Sequence, residues 1–434
     1  MKVNKGMKMP IYLLKGGHIV DPANGVNRVG DILIRDDYIE AIDPQEIPEG
    51  AEIIDVSGKY VFPGLVDMHT HAREPGQEYK EDIESASLAA VAGGFTTIVT
   101  MANTNPPIDT ADRITFIYDR SLTAHCRVYP VGAVSKGLEG EQLAELADMA
   151  QAGAVAFSDD GNTIADSELM RNALAYADQL DLPILVHEID PTLAAGGQIH
   201  EGRVASLTGM RGIPAAAETA VIARDIDLLR LAGGRLHIQH ITTAGAVELI
   251  RRAKEEGLPI TCEVTPHHLT LTEEDVLESD FDPNFKMMPP LRTEEDIFAL
   301  RESLRDGTID AIATDHAPHA LHEKDNPFDQ TPFGVIGLET ALSVVWTELV
   351  AKGIISAEDL VRLMAVNPAK ILDLPAGTLS VGSYADITVF DPDARWKVDP
   401  KDFRSKSQNS PFIGRELTGR VAMTIVGGEI VFRK

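Results

Sequence analysis

His69 and His71 stand two residues apart in the run GLVDMHTHAREPG, and their spacing is chemically suggestive. If the apolar stretch from Leu65 to His71 is a strand, residues i and i+2 share a face and both imidazoles project from one side of its carboxyl end. Two convergent imidazoles can begin a metal site, because neutral imidazole is the commonest protein ligand for metals. The pair alone does not separate ligands from bystanders; the elements that position it must do so.

Those elements repeat. TTIVTMA, CRVYPVGA, GAVAFS, LPILVH, RLHIQH, LPITCEV and IDAIAT are short apolar runs which, with GLVDMH, make eight. Amphipathic stretches such as YKEDIESASLAAVAGG and AVELIRRAKEEG separate them, several closed by the glycines expected just past a helix end. Eight strands alternating with helices imply an α/β fold, a (β/α)8 TIM-type barrel over 65–372. The two ends differ from this pattern. IYLLKGGHIVDP, GDILIRDDYIEAID and VAMTIVGGEIVFR alternate or run apolar around Gly16-Gly17, Asp36-Asp37 and Gly427-Gly428, which are read as two-residue hairpin turns. Isolated hairpins are marginal in water, so 1–64 and 373–434 are expected to form one small, discontinuous β domain.

On such a barrel, chemistry gathers at the carboxyl ends of the strands. There the chain offers His69 and His71, then Asp159-Asp160, His187, His240 and Asp315. Period-2 alternation puts Ala156, Ser158 and Asp160 on one face, and Ala311, Ala313 and Asp315 likewise, so Asp160 and Asp315 should point inward and Asp159 outward. Four imidazoles with two carboxylates and no thiolate suit zinc, with manganese or cobalt as substitutes. His237 alternates to the face opposite His240, His267-His268 follow Pro266 in a loop, and His18, His125, His200, His316 and His322 lack a convergent partner; all are assigned structural roles. Residues 316–337 make a loop long enough to be expected as part of the site or a cover over it.

Composition excludes other classes. With 39 Lys+Arg against 67 Asp+Glu among 434 residues, the net charge of −28 repels nucleic acid and anionic membranes. No 18-residue apolar run and no signal peptide is read, and Cys126 and Cys262, far apart in apolar stretches, are taken as reduced thiols of a cytoplasmic protein.

GLVDMHTHAREPG, MANTNP, FSDDG, VHE, HIQHITT, CEVTPHHL, NFKMMPPLR, ATDHAPH and GSYADITVFD occur in an order that resembles the dihydroorotases among the cyclic amidohydrolases, over nearly the whole chain. The resemblance implies two zinc ions per chain: His69, His71 and Asp315 on one, His187 and His240 on the other, and a bridging carboxylate, by position Asp160. Many relatives, among them hydantoinases and allantoinases, bridge instead with a carboxylated lysine, and this fourth strand has none. The implied reaction is reversible cyclisation of N-carbamoyl-L-aspartate to L-dihydroorotate with release of water, in de novo synthesis of the pyrimidine UMP. The metals would lower the pKa of bound water and polarise the ring amide, and Asp315 would shuttle the proton. Arg73 has the planar fork for the ring carboxylate. The resemblance sets His71, Asn103 and His319 beside it, and Asn284 with the backbone at Phe333-Gly334 on the ring. Two alternatives stay open: another cyclic amidohydrolase such as a hydantoinase, dihydropyrimidinase or allantoinase, and a non-catalytic scaffold for aspartate transcarbamoylase. A homodimer is the expected assembly, and association of an active chain with that transcarbamoylase also stays open.

Overall fold

The computed structural model describes residues 11–434; the reading of the chain's first ten residues lies outside them. Both ends of the described chain meet in one eight-stranded sheet. Its order is Glu429–Arg433, Glu416–Val426, Ile387–Lys397, Tyr60–Pro63, Ile11–Asp21, Val26–Arg35 and Tyr38–Ile42, with Glu52–Asp55 also pairing with Ile11–Asp21. The seam between the ends is antiparallel, with Val389 opposite Val61 and Ile387 opposite Pro63. Leu14, Ile19, Ile34, Val61, Ile387, Val389 and Ile425 bury one face of this sheet in a core of its own.

Two of the three expected hairpin turns are present. Gly427 and Gly428 both have positive φ (54° and 75°), as a two-residue turn matched to strand twist requires. Gly16-Gly17 is not a turn. Ile11–Asp21 runs through it as one strand whose register with Val26–Arg35 slips between Leu14 and Gly17. Gly16 takes φ 74°, and a Cβ on Gly17 would lie 2.5 Å from a methyl of Val61, so this glycine pair makes a bulge under a close neighbour.

Between the ends the strands are parallel. Leu65–Thr70, Phe95–Thr100 and Arg127–Pro130 form one sheet; Ile184–Val186, Leu236–Ile238, Ile260–Val264 and Ala311–Ile312 form another. Parallel bridges Gly132 to Phe157, Phe157 to Ile184 and Thr70 to His316 link the two. The expected fourth strand is thus reduced to bridging by Phe157, flanked on its two sides by Pro130 and Pro183, which have no N–H to extend a ladder. Alternation sorts the side chains. Val66, Val99, Val131, Ala156, Leu185, Ala311 and Ala313 bury in one cluster, while Leu65, Ile98, Val128, Phe157, Ile184, Ile238 and Ile312 pack in another with the helices.

The helices start and stop where their sequence says. Asp82 and Ser85 form a capping box ahead of Ile83–Ala92, Thr243 caps Ala244–Glu255, and Gly153 closes Leu146–Ala152 in the left-handed conformation. Among the described residues no helix is long and apolar enough to cross a membrane.

Candidate metal centre and substrate cavity

The carboxyl ends of the parallel strands deliver the polar residues to one place. Asp67 fixes the first end to the last: it accepts from Thr70 Oγ1 (2.6 Å), from Thr314 N (2.8 Å) and from Thr314 Oγ1 (2.6 Å). The backbone then leaves strand geometry. Arg73, His240 and Asp315 have φ of 60°, 31° and 46°, a left-handed conformation that L residues adopt at a cost of about 1–3 kcal/mol each and that clusters at functional sites.

His69, His71, Asp160, His187, His240 and Asp315 are brought together and buried. Asp160 stands between the two histidine pairs: its Oδ1 is 3.4 Å from His69 Nε2, 3.6 Å from His187 Nδ1 and 3.8 Å from His240 Nε2, and its Oδ2 is 3.3 Å from His71 Nε2. Asp315 Oδ1 lies 3.0 Å from His71 Nε2 and 3.5 Å from His69 Nε2. Asp159 turns away, accepting from the backbone N–H groups of Val134 and Ser135.

The donor set fits divalent cations. Asp160 Oδ1 is buried with no hydrogen-bond donor, and His187 Nδ1 and His240 Nε2 face each other at 2.8 Å, two nitrogens that must share a proton or a cation. On the other side the lone pairs are already aimed. His71 Nδ1 donates to Asn103 Oδ1 (2.8 Å) and His69 Nδ1 to Glu263 Oε1 (2.6 Å), which turns both Nε2 atoms to Asp160 and Asp315, where a cation would take their lone pairs. Electrostatics agree. Burial alone would raise the pKa of Asp160 and Asp315, but His69, itself raised well above its ordinary value by Asp160, Glu263 and Asp315, holds both carboxyls below the usual range, and a cation would take the place of its Nε2 proton. Burial, with His187 beside it, pushes His240 down to about 3, the neutral form a ligand needs.

A cavity of about 450 Å³ opens onto this centre, lined by His71, Arg73, Asn103, Asp160, His187, His240 and Asp315 on one side and by Ala317, His319, Pro332, Phe333 and Gly334 on the other. Arg73 donates from Nε to the Pro318 carbonyl (3.1 Å). Burial lowers its pKa and the more distant Asp315 and Asp160 only partly offset this, so the cation favours an anion in the cavity. His319 donates from Nε2 to the Phe333 carbonyl (2.8 Å), leaving its buried Nδ1 an unpartnered acceptor. The 316–337 loop therefore forms one wall. It is tied down: Lys324 Nζ donates to the carbonyls of Pro283 and Pro332, Lys286 Nζ to that of Phe328, and Asn409 to those of Ala317 and Gly334. Asn284, expected on the substrate ring, is not among the lining residues; it sits in the short turn Pro283–Phe285.

Several residues at or beneath the site were not singled out from sequence. Glu263 and Asp67 fasten ligands from behind, Gln239 Nε2 lies 3.3 Å from His69 Nδ1, and Met288 and Gly161 line the cavity. Alternation could have found Glu263, two residues beyond Thr261 and opposite Ala311 in the neighbouring strand. Alternation misplaced His237. It is fully buried on the inward face with Gln239, whereas His240 lies beyond the strand end at Ile238, on a left-handed backbone where strand parity no longer holds.

A family model described as dihydro-orotase-like matches residues 58–246. The chain is 50% identical over 421 residues to a dihydroorotase from Pelotomaculum thermopropionicum, covering 97% of this chain and 98% of that one. It is also 50% identical over 423 residues to a dihydroorotase from Anaeromyxobacter dehalogenans, with coverage of 97% and 98%. Among solved structures, an L-hydantoinase (dihydropyrimidinase) from Arthrobacter aurescens superposes with a TM-score of 0.86 at 30% identity, covering 98% of this chain and 96% of that one. With half its residues shared with such relatives along almost its whole length, the chain belongs to the dihydroorotase family.

Proposed function

We infer that this chain is an enzyme that interconverts N-carbamoyl-L-aspartate and L-dihydroorotate, closing the ring with release of water, as a step of pyrimidine synthesis. The observation that carries this reading is one cavity opening onto a buried cluster of four imidazoles and two carboxylates and, at its wall, a half-buried arginine in need of an anion. We propose two zinc ions per chain. His69, His71 and Asp315 would hold one, His187 and His240 the other, with Asp160 between them, as its central position supports. Bound there, zinc would supply an activated water and polarise the ring amide.

The chain's own residues do the rest. Asp315 takes the proton of the attacking water and returns it to the departing ring nitrogen, a role worth typically ~10²- to 10⁴-fold. Arg73 grips the ring carboxylate, with His71, Asn103 and His319 beside it, and the Phe333-Gly334 backbone faces the ring. Asn284 would need the 283–286 turn to shift to take part. The parallel strands are proposed to close as a (β/α)8 barrel over 65–372, which the bridges Gly132–Phe157–Ile184 and Thr70–His316 support. Residues 1–64 and 373–434 are proposed as the discontinuous β domain. A reduced, cytoplasmic setting suits two buried free cysteines, and a homodimer is the proposed assembly. Elemental analysis paired with a ring-opening assay on dihydroorotate, hydantoin and dihydrouracil tests the reading: about two zinc per chain and preference for dihydroorotate are expected. Equal turnover of all three rings would overturn it, as would no turnover with zinc bound.

A further inference from the structure

Glu263 lies in the strand Ile260–Val264, 1% exposed, below the cavity rather than on its wall. Its two oxygens face two imidazoles: Oε1 is 2.6 Å from His69 Nδ1 and Oε2 is 3.2 Å from His237 Nε2. His237 Nδ1 is in turn 2.8 Å from Thr261 Oγ1. An ionised carboxylate only accepts hydrogen bonds, so His69 donates through Nδ1 and His237 through Nε2, and the remaining nitrogen of His237 accepts from the Thr261 hydroxyl. Every proton in the chain Thr261–His237–Glu263–His69 then has one place, and His69 Nε2 is turned toward Asp160 and Asp315, where its lone pair would meet a bound cation.

A fully buried carboxylate is costly without a positive charge nearby, and among the described residues the ion-pair partners of Glu263 are imidazoles alone, with no lysine or arginine. A dication on the far side of His69 would provide that charge through the ring. We propose that Glu263, backed by His237 and Thr261, is a positioning residue of the metal centre: it fixes the tautomer and orientation of His69 and raises the basicity of its Nε2 toward a divalent cation. The proposal rests on the zinc reading above. The competing account is a hydrogen-bonded core network that stabilises the fold and nothing else.

Glu263→Gln separates the two. The amide keeps the shape and, if His237 switches tautomer, keeps the hydrogen bonds, while the negative charge is lost. Zinc affinity, measured by competition with a chromophoric chelator, should weaken roughly 10- to 100-fold. The melting temperature of the metal-free protein should stay close to that of the parent, and at saturating zinc kcat should fall while KM for dihydroorotate is unchanged. Wild-type zinc affinity in Glu263→Gln, whatever its melting temperature, would overturn the proposal. If that variant does not fold, His237→Gln decides, with a several-fold loss of zinc affinity expected and none overturning it. A parent chain that takes up no zinc would instead overturn the metal reading itself.

Discussion

The two histidine pairs around Asp160 are not equivalent. His69 and His71 each give their Nδ1 proton to a fixed acceptor, Glu263 and Asn103, and Asp67 ties the strand that carries them to the one that carries Asp315. His187 and His240 have no such backing: their ring nitrogens meet each other at 2.8 Å, and the outer Nδ1 of His240 is buried without a partner. One half is oriented by protein before any cation arrives, whereas the other has its geometry completed by what it binds. Preorganisation therefore differs within a single site, and affinity should follow it.

The largest effect expected is from removing what the halves share. Asp160→Ala should abolish zinc retention in both and cut turnover by at least ~10³-fold, within the range such groups supply. Asp159→Ala should keep zinc and cost about 1–3 kcal/mol of stability through the orphaned N–H groups of Val134 and Ser135. Equal zinc loss in both variants would dissolve the comparison. Next comes the proton. Asp315→Asn keeps an oxygen for the preorganised half but cannot exchange protons, so kcat should drop by at least ~10²-fold while zinc content holds; activity that merely tracks zinc would make Asp315 a ligand only. Arg73→Met should lower kcat/KM for dihydroorotate roughly tenfold to several hundredfold without changing zinc content, and Arg73→Lys should recover part of it. A matching loss on dihydrouracil would reduce Arg73 to a loop support. The smallest effect sharpens the contrast directly. Stepwise chelation should release zinc in two phases, the first at the His187–His240 half, so His187→Ala should resemble the partly stripped protein; simultaneous release of both ions would show that the backing of His69 and His71 leaves affinity unchanged.

Much of this site was legible because its signals are local. An HxH at a strand end, the histidine of VHE and the last of HIQH, and aspartates in step with small alternating residues are all signals of a single strand end turned toward a common rim. What was lost depended on several strands at once or on broken regularity. Glu263 matters only because it lies across from His69, which stands almost two hundred positions earlier in the chain. His237 was set on the wrong face because its parity was counted from His240, which lies beyond the strand end at Ile238 on a left-handed backbone. Gly16-Gly17 reads as a turn in one dimension and is a bulge because Val61 presses on it. The fourth strand keeps only the bridges of Phe157, between neighbours whose Pro130 and Pro183 have no N–H to extend a ladder. Asn284 does not line the cavity; it lies in the turn Pro283–Phe285, whose Pro283 carbonyl accepts from Lys324.

The seam of the eight-stranded sheet has a consequence for how the chain is made. Tyr60–Pro63 gains its antiparallel neighbour only when Ile387–Lys397 has been synthesised, more than three hundred residues later. Until then a nascent chain would carry an open strand edge with Val61 and Phe62 uncovered, the kind of surface that pairs with other chains. The more than three hundred residues between the two seam strands come first, and closure of the seam is a late act of assembly, paced by contact order rather than by local propensity. A chain stopped before Ile387 should therefore associate through its amino-terminal strands, and sedimentation of ribosome-released fragments of increasing length would show oligomers vanishing once the seam strand is included. Translation itself would thus count among the conditions under which this site comes into being.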